Sequence, residues 1–121
     1  MLVVDDNPDQ LDVLASMLTY HGAAVIVAED GYEALRRLES QPVDIIISDI
    51  AMPNISGHNF IRAVRVRFGH RMPAIALTAF DEPDQRTIAL ACGFQVYMLK
   101  PADHDALVGT IAQLVSRTQV A

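Results

Sequence analysis

The chain has 121 residues, 51% of them hydrophobic and 20% charged, a size and composition that suit one folded domain and exclude a disordered chain. Fifteen acidic against nine basic residues give a net charge of −6, which offers no general electrostatic attraction to nucleic acid or to an anionic membrane. The single cysteine, Cys92, excludes an internal disulfide and a cysteine-based zinc cluster. No apolar run reaches spanning length and no basic-then-apolar leader opens the chain, so one cytoplasmic domain over 1–121 is expected.

In chain order, Leu2-Val3-Val4 reads as a first strand. A helix follows from about Pro8 to Tyr20, with Leu11, Leu14, Met17 and Leu18 on one face, Asn7 as its N-cap, Pro8 in its first turn and Gly22 placed to stop it. The run 23–28 reads as a second strand, and Asp30-Gly31 starts a second helix carrying Ala34, Leu35 and Leu38. A third strand over 43–47 precedes a helix marked by Phe60, Ile61, Val64 and Phe68. A fourth strand over 74–77 precedes a helix marked by Ile88, Ala89 and Cys92 that ends near Gly93. A fifth strand over 94–99 precedes a last helix carrying Leu107, Val108, Ile111, Leu114 and Val115. The strands are β-branched and nearly continuous rather than alternating, the pattern of strands buried on both faces. Strand and helix alternate five times, which predicts an α/β fold with a doubly wound parallel sheet. In such folds ligands bind beyond the carboxyl ends of the strands.

The strand ends are therefore the places to search. They read Asp5-Asp6, Ser48-Asp49, Thr78-Ala79 and Leu99-Lys100-Pro101. Each has an ordinary explanation when taken singly. Asp5-Asp6 suits an acidic turn, Asp49 a cap, and Thr78 a hydroxyl satisfied by backbone. Lys100 could be chance, although it is the only lysine in a chain whose other eight basic residues are arginine. Jointly these explanations are poor, because each must place its residue at the same sheet edge by accident. Three clustered carboxylates invite a hard divalent cation, and Mg²⁺ takes such oxygen ligands. A carboxylate nucleophile beside Mg²⁺, a hydroxyl and an ammonium are the groups needed to accept a phosphoryl group and hold its oxygens.

These segments, with Met52-Pro53 and Ser56-Gly57 after Asp49 and Tyr97-Met98 before Leu99, resemble the receiver domain of the two-component response regulator family over essentially the whole chain. The resemblance implies a flavodoxin-like sheet of order 2-1-3-4-5. It implies Asp49 as phospho-acceptor, Asp5, Asp6, Asp49 and the backbone carbonyl of Ala51 as Mg²⁺ ligands, Thr78 as switch hydroxyl, Lys100 as phosphoryl contact and Tyr97 as switch aromatic. It also implies a cis Lys100–Pro101 bond. The implied function is phosphorelay signalling: phosphoryl transfer from a sensor histidine kinase or a His-containing phosphotransfer domain, without separate substrate turnover. The segments 91–95 and 100–103 are most similar to receivers fused to hybrid sensor histidine kinases, which points to a receiver belonging to a longer protein, with a free-standing regulator as the alternative. A stand-alone Asp-nucleophile phosphatase fits less well, because Asp49-Ile50-Ala51 lacks an Asp-x-Asp and the length leaves no room for a cap. A degenerate receiver would have lost an acidic residue, the threonine or the lysine, and none is lost.

Ala51 and Phe80 occupy positions that flank the water approach in the resembling family. Neither hydrogen-bonds a water through its side chain, so slow self-dephosphorylation is expected. His21, His58, His70 and His104 lack metal-ligand spacing and read as surface or boundary residues. Arg62, Arg65, Arg67 and Arg71 read as a solvated helix face.

Overall fold

The computed structural model describes residues 1–79 and 81–120, the side chains of 117–120 excepted. The chain runs β1 (Leu2–Val4), α1 (Pro8–Tyr20), β2 (Ile26–Ala28), α2 (Gly31–Ser40), β3 (Ile46–Ser48), α3 (Gly57–Phe68), β4 (Ala74–Thr78), α4 (Pro83–Cys92), β5 (Val96–Leu99) and α5 (His104–Val120). All strand pairs are parallel, in the order β2-β1-β3-β4-β5. The doubly wound architecture read from the sequence is the one observed.

Alternate strand residues feed two separate cores, as the period-2 geometry of a strand requires. Leu2, Val4, Ile46 and Ala74 pack with Ala34, Leu35, Leu38, Phe60, Ile61, Val64 and Ala89 of α2, α3 and α4. Val3, Ile47, Ile75 and Leu77 pack with Leu11, Leu18, Leu107, Ile111 and Leu114 of α1 and α5. This is why the strands read as continuous apolar runs.

The helix boundaries follow from capping. Asn7 Oδ1 accepts from the backbone N–H groups of Asp9 and Gln10, and Pro8 occupies the first turn of α1. Asp30 Oδ1 accepts from Glu33 N and starts α2. Ser56 Oγ accepts from Asn59 N and starts α3. Three strands are shorter than their apolar runs. Ala23 N–H turns back to Leu18 O to close α1, and Phe94 N–H turns back to Ala89 O to close α4. Val25 and Val43 pack against the cores outside the strand ladders. Apolar character reports burial, and burial begins before the ladder does.

The expectation of a solvated arginine face fails at Arg65. Arg62 and Arg67 are exposed, and Arg67 pairs with Glu39 of α2. Arg65 is only 7% exposed. Its Nε and Nη2 donate to Gly93 O at 3.0 and 2.8 Å, Nη1 donates to Gly69 O and Met72 O at 3.2 and 2.6 Å, and Nη2 also reaches Gln95 Oε1 at 3.1 Å. Every N–H of the guanidinium fork thus finds an oxygen, the condition for burying it. Burial still lowers the affinity of this guanidinium for its proton. Gln95 Oε1 also accepts from Ala74 N at 2.7 Å, so one cluster ties α3, the turn before β4 and the turn before β5. Gly93 is needed here twice over. Its φ is +132°, and a Cβ would lie 2.8 Å from Arg65 Cγ.

Arg65→Met takes a donor from four partly buried acceptors and should lower the unfolding free energy by about 3 kcal/mol. Arg65→Lys should recover less than half of that, because an ammonium cannot reproduce the fork. Urea midpoints of the three proteins check both statements.

Candidate functional site

Strand register assembles the site. Val4 lies opposite Ser48, so the next residues, Asp5 and Asp49, become neighbours, with Asp49 N donating to Val4 O at 2.9 Å. Thr78 lies opposite Leu99, and Lys100 N donates to Thr78 O at 2.8 Å. The strand order reverses between β1 and β3, which leaves a crevice at the carboxyl ends of these parallel strands, and the charged side chains gather there. The Lys100–Pro101 bond is cis.

Asp5, Asp6 and Asp49 each place a carboxylate oxygen within 4.8 Å of the others. At that spacing each pair repels by at least about 3 kcal/mol at an effective dielectric near 20. Lys100 Nζ lies 2.7 Å from Asp5 Oδ2 and 3.0 Å from Asp49 Oδ2, and so relieves part of this repulsion. Burial pulls the ammonium's pKa down, but its hydrogen bonds to Asp5 and Asp49 outweigh that, and the net shift is upward. Asp5 is almost fully buried, while Asp6 faces solvent beside it. One ammonium against three carboxylates leaves excess negative charge on hard oxygen donors. That donor set fits Mg²⁺, which takes one or two carboxylates and keeps its remaining waters.

The loop that follows β3 is held from below. Asp49 Oδ1 accepts from Ile50 N at 2.7 Å, and Ser48 Oγ donates to Asp49 O at 2.8 Å. Gly57 N donates to Ile50 O, and a Cβ on Gly57 would lie 2.3 Å from Asp49 O. Only glycine lets α3 begin this close to Asp49. Asn54 takes a φ of +69° in the same loop, a conformation asparagine tolerates better than most residues. Asp5 also makes the local turn bond that the sequence allows, Asn7 N to Asp5 Oδ1 at 3.0 Å.

The structure thus gathers Asp5, Asp6, Asp49 and Lys100, with buried Thr78 on the strand beside them. Ala51 follows in the β3–α3 loop with its side chain exposed. Phe80 lies outside the described residues. Tyr97 is half-buried on β5 and packs against the α2–α3–α4 core. Burial and then the charges of Asp81 and Glu82 raise its phenol pKa. Sequence reading missed Gln10, whose Oε1 accepts from Lys100 Nζ at 2.8 Å. It named Ser48 at the end of the third strand but gave it no role. Neither carries a charge or a motif that would single it out, though Gln10 stands three residues after the Asn7 cap.

Residues 1–112 match the response regulator receiver domain. The chain belongs to that family. A 14.6 kDa protein of Leptolyngbya boryana is 43% identical over 114 residues, covering 93% of this chain and 87% of that protein. The CAI-1 autoinducer sensor kinase/phosphatase CqsS of Vibrio cholerae is 35% identical over 118 residues, 95% of this chain but only 17% of the kinase. Among solved structures, the receiver domain of Francisella response regulator 1452 matches with a TM-score of 0.90 at 29% identity, covering 97% of this chain and 96% of that one. The chemotaxis response regulator CheY4 of Vibrio cholerae matches with a TM-score of 0.85 at 31% identity, covering 93% and 95%. Receiver domains are the phospho-accepting modules of two-component phosphorelays, bind Mg²⁺ at an acidic pocket and interact with histidine kinases or phosphotransfer domains. In this receiver no helix among the described residues is long and apolar enough to cross a membrane.

His58, in the first turn of α3, has a buried Nε2 without a hydrogen-bond partner. Burial and then the Arg62 charge lower its pKa below the ordinary 6.5. The unfolded chain therefore binds this proton at a higher pH than the native one. The stability held by neutral His58 is present above about pH 6.5 and is lost as pH falls through the native value. Between pH ~7.5 and ~5.5 the wild type should lose more stability than His58→Gln, the carboxylate background being common to both. Paired urea titrations at the two pH values measure the difference.

Proposed function

We propose that this receiver accepts a phosphoryl group from the phosphohistidine of a sensor histidine kinase or phosphotransfer domain onto Asp49, with Mg²⁺ required, and that acceptance alters the α4–β5–α5 face. The observation that carries the reading is the Lys100 ammonium lying between Asp5 and Asp49, 2.7 and 3.0 Å away, at the crevice between β1 and β3. Asp49 is the nucleophile. Asp5, Asp6, Asp49 and the Ala51 carbonyl hold Mg²⁺, which when bound neutralises charge on the transferring group. Lys100 exchanges its bond to Asp49 for one to a phosphoryl oxygen, and the Thr78 hydroxyl takes another oxygen of the group. The chain's similarity to segments of sensor kinases supports a donor of that kind.

The deciding measurement is intact mass after treatment with acetyl phosphate. Wild type should gain one phosphate with Mg²⁺ present and none after chelation. Asp49→Asn should gain none in either case, because an amide does not attack phosphorus as a carboxylate does. An adduct on Asp49→Asn equal to wild type would remove Asp49 from the role.

Movement of Thr78 toward a phosphorylated Asp49 would open space beside β5 for Tyr97. The surrounding face carries the exposed Ile88, Leu90 and Leu99, apolar groups whose surroundings a Tyr97 rearrangement would change. Hydrogen exchange with and without beryllofluoride should differ over α4, β5 and α5. Changes confined to the loops around Asp49 would count against the switch.

A further inference from the structure

The β1–α1 turn and Lys100 close a ring of hydrogen bonds. Lys100 Nζ donates to Asp5 Oδ2 at 2.7 Å, and Asn7 N donates to the other oxygen of the same carboxylate at 3.0 Å. Asn7 Oδ1 accepts from Gln10 N at 3.2 Å, and Gln10 Oε1 accepts from Lys100 Nζ at 2.8 Å. The cap that starts α1 therefore also places the backbone of Gln10, and the Gln10 side chain returns to the lysine that the turn's aspartate already holds.

The consequence for the ammonium is a full set of partners. Lys100 has three N–H donors. Asp5, Gln10 and Asp49 supply three acceptors, all within 3.0 Å. Two of these belong to the ring and only Asp49 stands outside it. A groove of about 490 Å³ opens beside them between α1 and the start of α5, lined by Val13, Leu14, Leu77, Pro101 and Leu107. Of the polar side chains that also line this groove, Asp5, Gln10 and His104, it is Gln10 that accepts from the ammonium on the α1 side.

We propose that Gln10 is a positioning residue for phosphoryl acceptance, fixing the Lys100 ammonium so that its bond to Asp49 is the one exchanged for a phosphoryl oxygen. With acetyl phosphate as donor, an Asp49 carboxylate oxygen forms the new bond to phosphorus. The phosphorus–oxygen bond to the acetyl group breaks, and acetate leaves with the electron pair. No proton is transferred. Lys100 keeps Asp5 and Gln10 throughout and swings one N–H. Without Gln10 the lysine chain regains rotamer freedom, and orientation is lost when charge must be met. This inference rests on Asp49 as the acceptor. It adds an uncharged residue whose side-chain oxygen accepts from Lys100.

The test uses the fact that Lys100 is the only lysine, so a ¹⁵N-labelled protein gives one side-chain ammonium signal. In the cold at mildly acidic pH, wild type should show a protected Nζ–H signal. Gln10→Leu should lose it through faster exchange, and Gln10→Glu, which keeps an acceptor, should retain it. Gln10→Leu should accept phosphate from acetyl phosphate with Mg²⁺ about tenfold more slowly, the effect of losing one charge-assisted hydrogen bond from an oriented group. Gln10 is exposed, so the melting temperature should stay close to wild type. A wild-type rate in Gln10→Leu overturns the proposal. So does a slower rate with an unchanged ammonium signal, or loss of the signal in Gln10→Glu. Absence of any adduct on wild type would be a failure of the phospho-acceptor reading itself, seen before a variant is compared, and would remove this inference with it.

Discussion

Like charges at one sheet edge set the terms for this molecule. Asp5, Asp6 and Asp49 lie within 4.8 Å of one another, and water cannot screen the nearly buried Asp5 as it would a surface carboxylate. A fold that brings them together must bring a cation as well. Lys100 arrives from the far end of the chain, 95 residues from Asp5. It can do so only because β5 continues the sheet beyond β4 and ends level with Thr78. The parallel order is thus more than a scaffold, since it neutralises part of the charge that its own strand ends create. What it leaves uncompensated is negative charge on hard oxygen donors, the donor set that suits a hard divalent cation.

The two helical layers divide the remaining work. On the α2–α3–α4 side, Arg65 binds the carbonyls of Gly69, Met72 and Gly93 and so ties the end of α3 to the turns before β4 and β5. Gly57 brings the start of α3 against Asp49, which connects that cluster to the loop after β3. On the α1–α5 side, the Asn7 cap and Asp5 share one turn, and the same turn presents Gln10 to Lys100. Packing therefore holds the start of α3 against Asp49 while leaving the ammonium's bond to Asp49 outside the ring that holds the lysine. In the proposed reaction that bond is the one that must change.

Much of this was legible in the residues. Continuous β-branched runs separated by amphipathic helices dictate strands buried on both faces, and only a covered parallel sheet satisfies that. Asn7-Pro8 and Asp30 announce helix starts because their side chains meet otherwise orphaned N–H groups. The acidic strand ends, the threonine and the single lysine were visible because functional side chains follow strands in this architecture. Which residues share a charge could be read locally, since charge is a property of the residue itself.

Partnership could not be read that way, and there only the tertiary structure decided. Arg65 looks like its exposed neighbours Arg62 and Arg67. It is buried because the turns at Gly69 and Gly93 converge on it with their carbonyls, and backbone carbonyls leave no mark in a sequence. Gln10 is an ordinary exposed glutamine until β5 delivers Lys100 to it across 90 residues. Gly57 and Gly93 are ordinary turn glycines until Asp49 and Arg65 occupy the space a Cβ would need. Sequence determines the chemistry each residue carries and the local geometry of its element. Long-range register determines which of those chemistries meet, because hydrogen bonds and repulsion act over a few ångströms of space and are blind to separation along the chain.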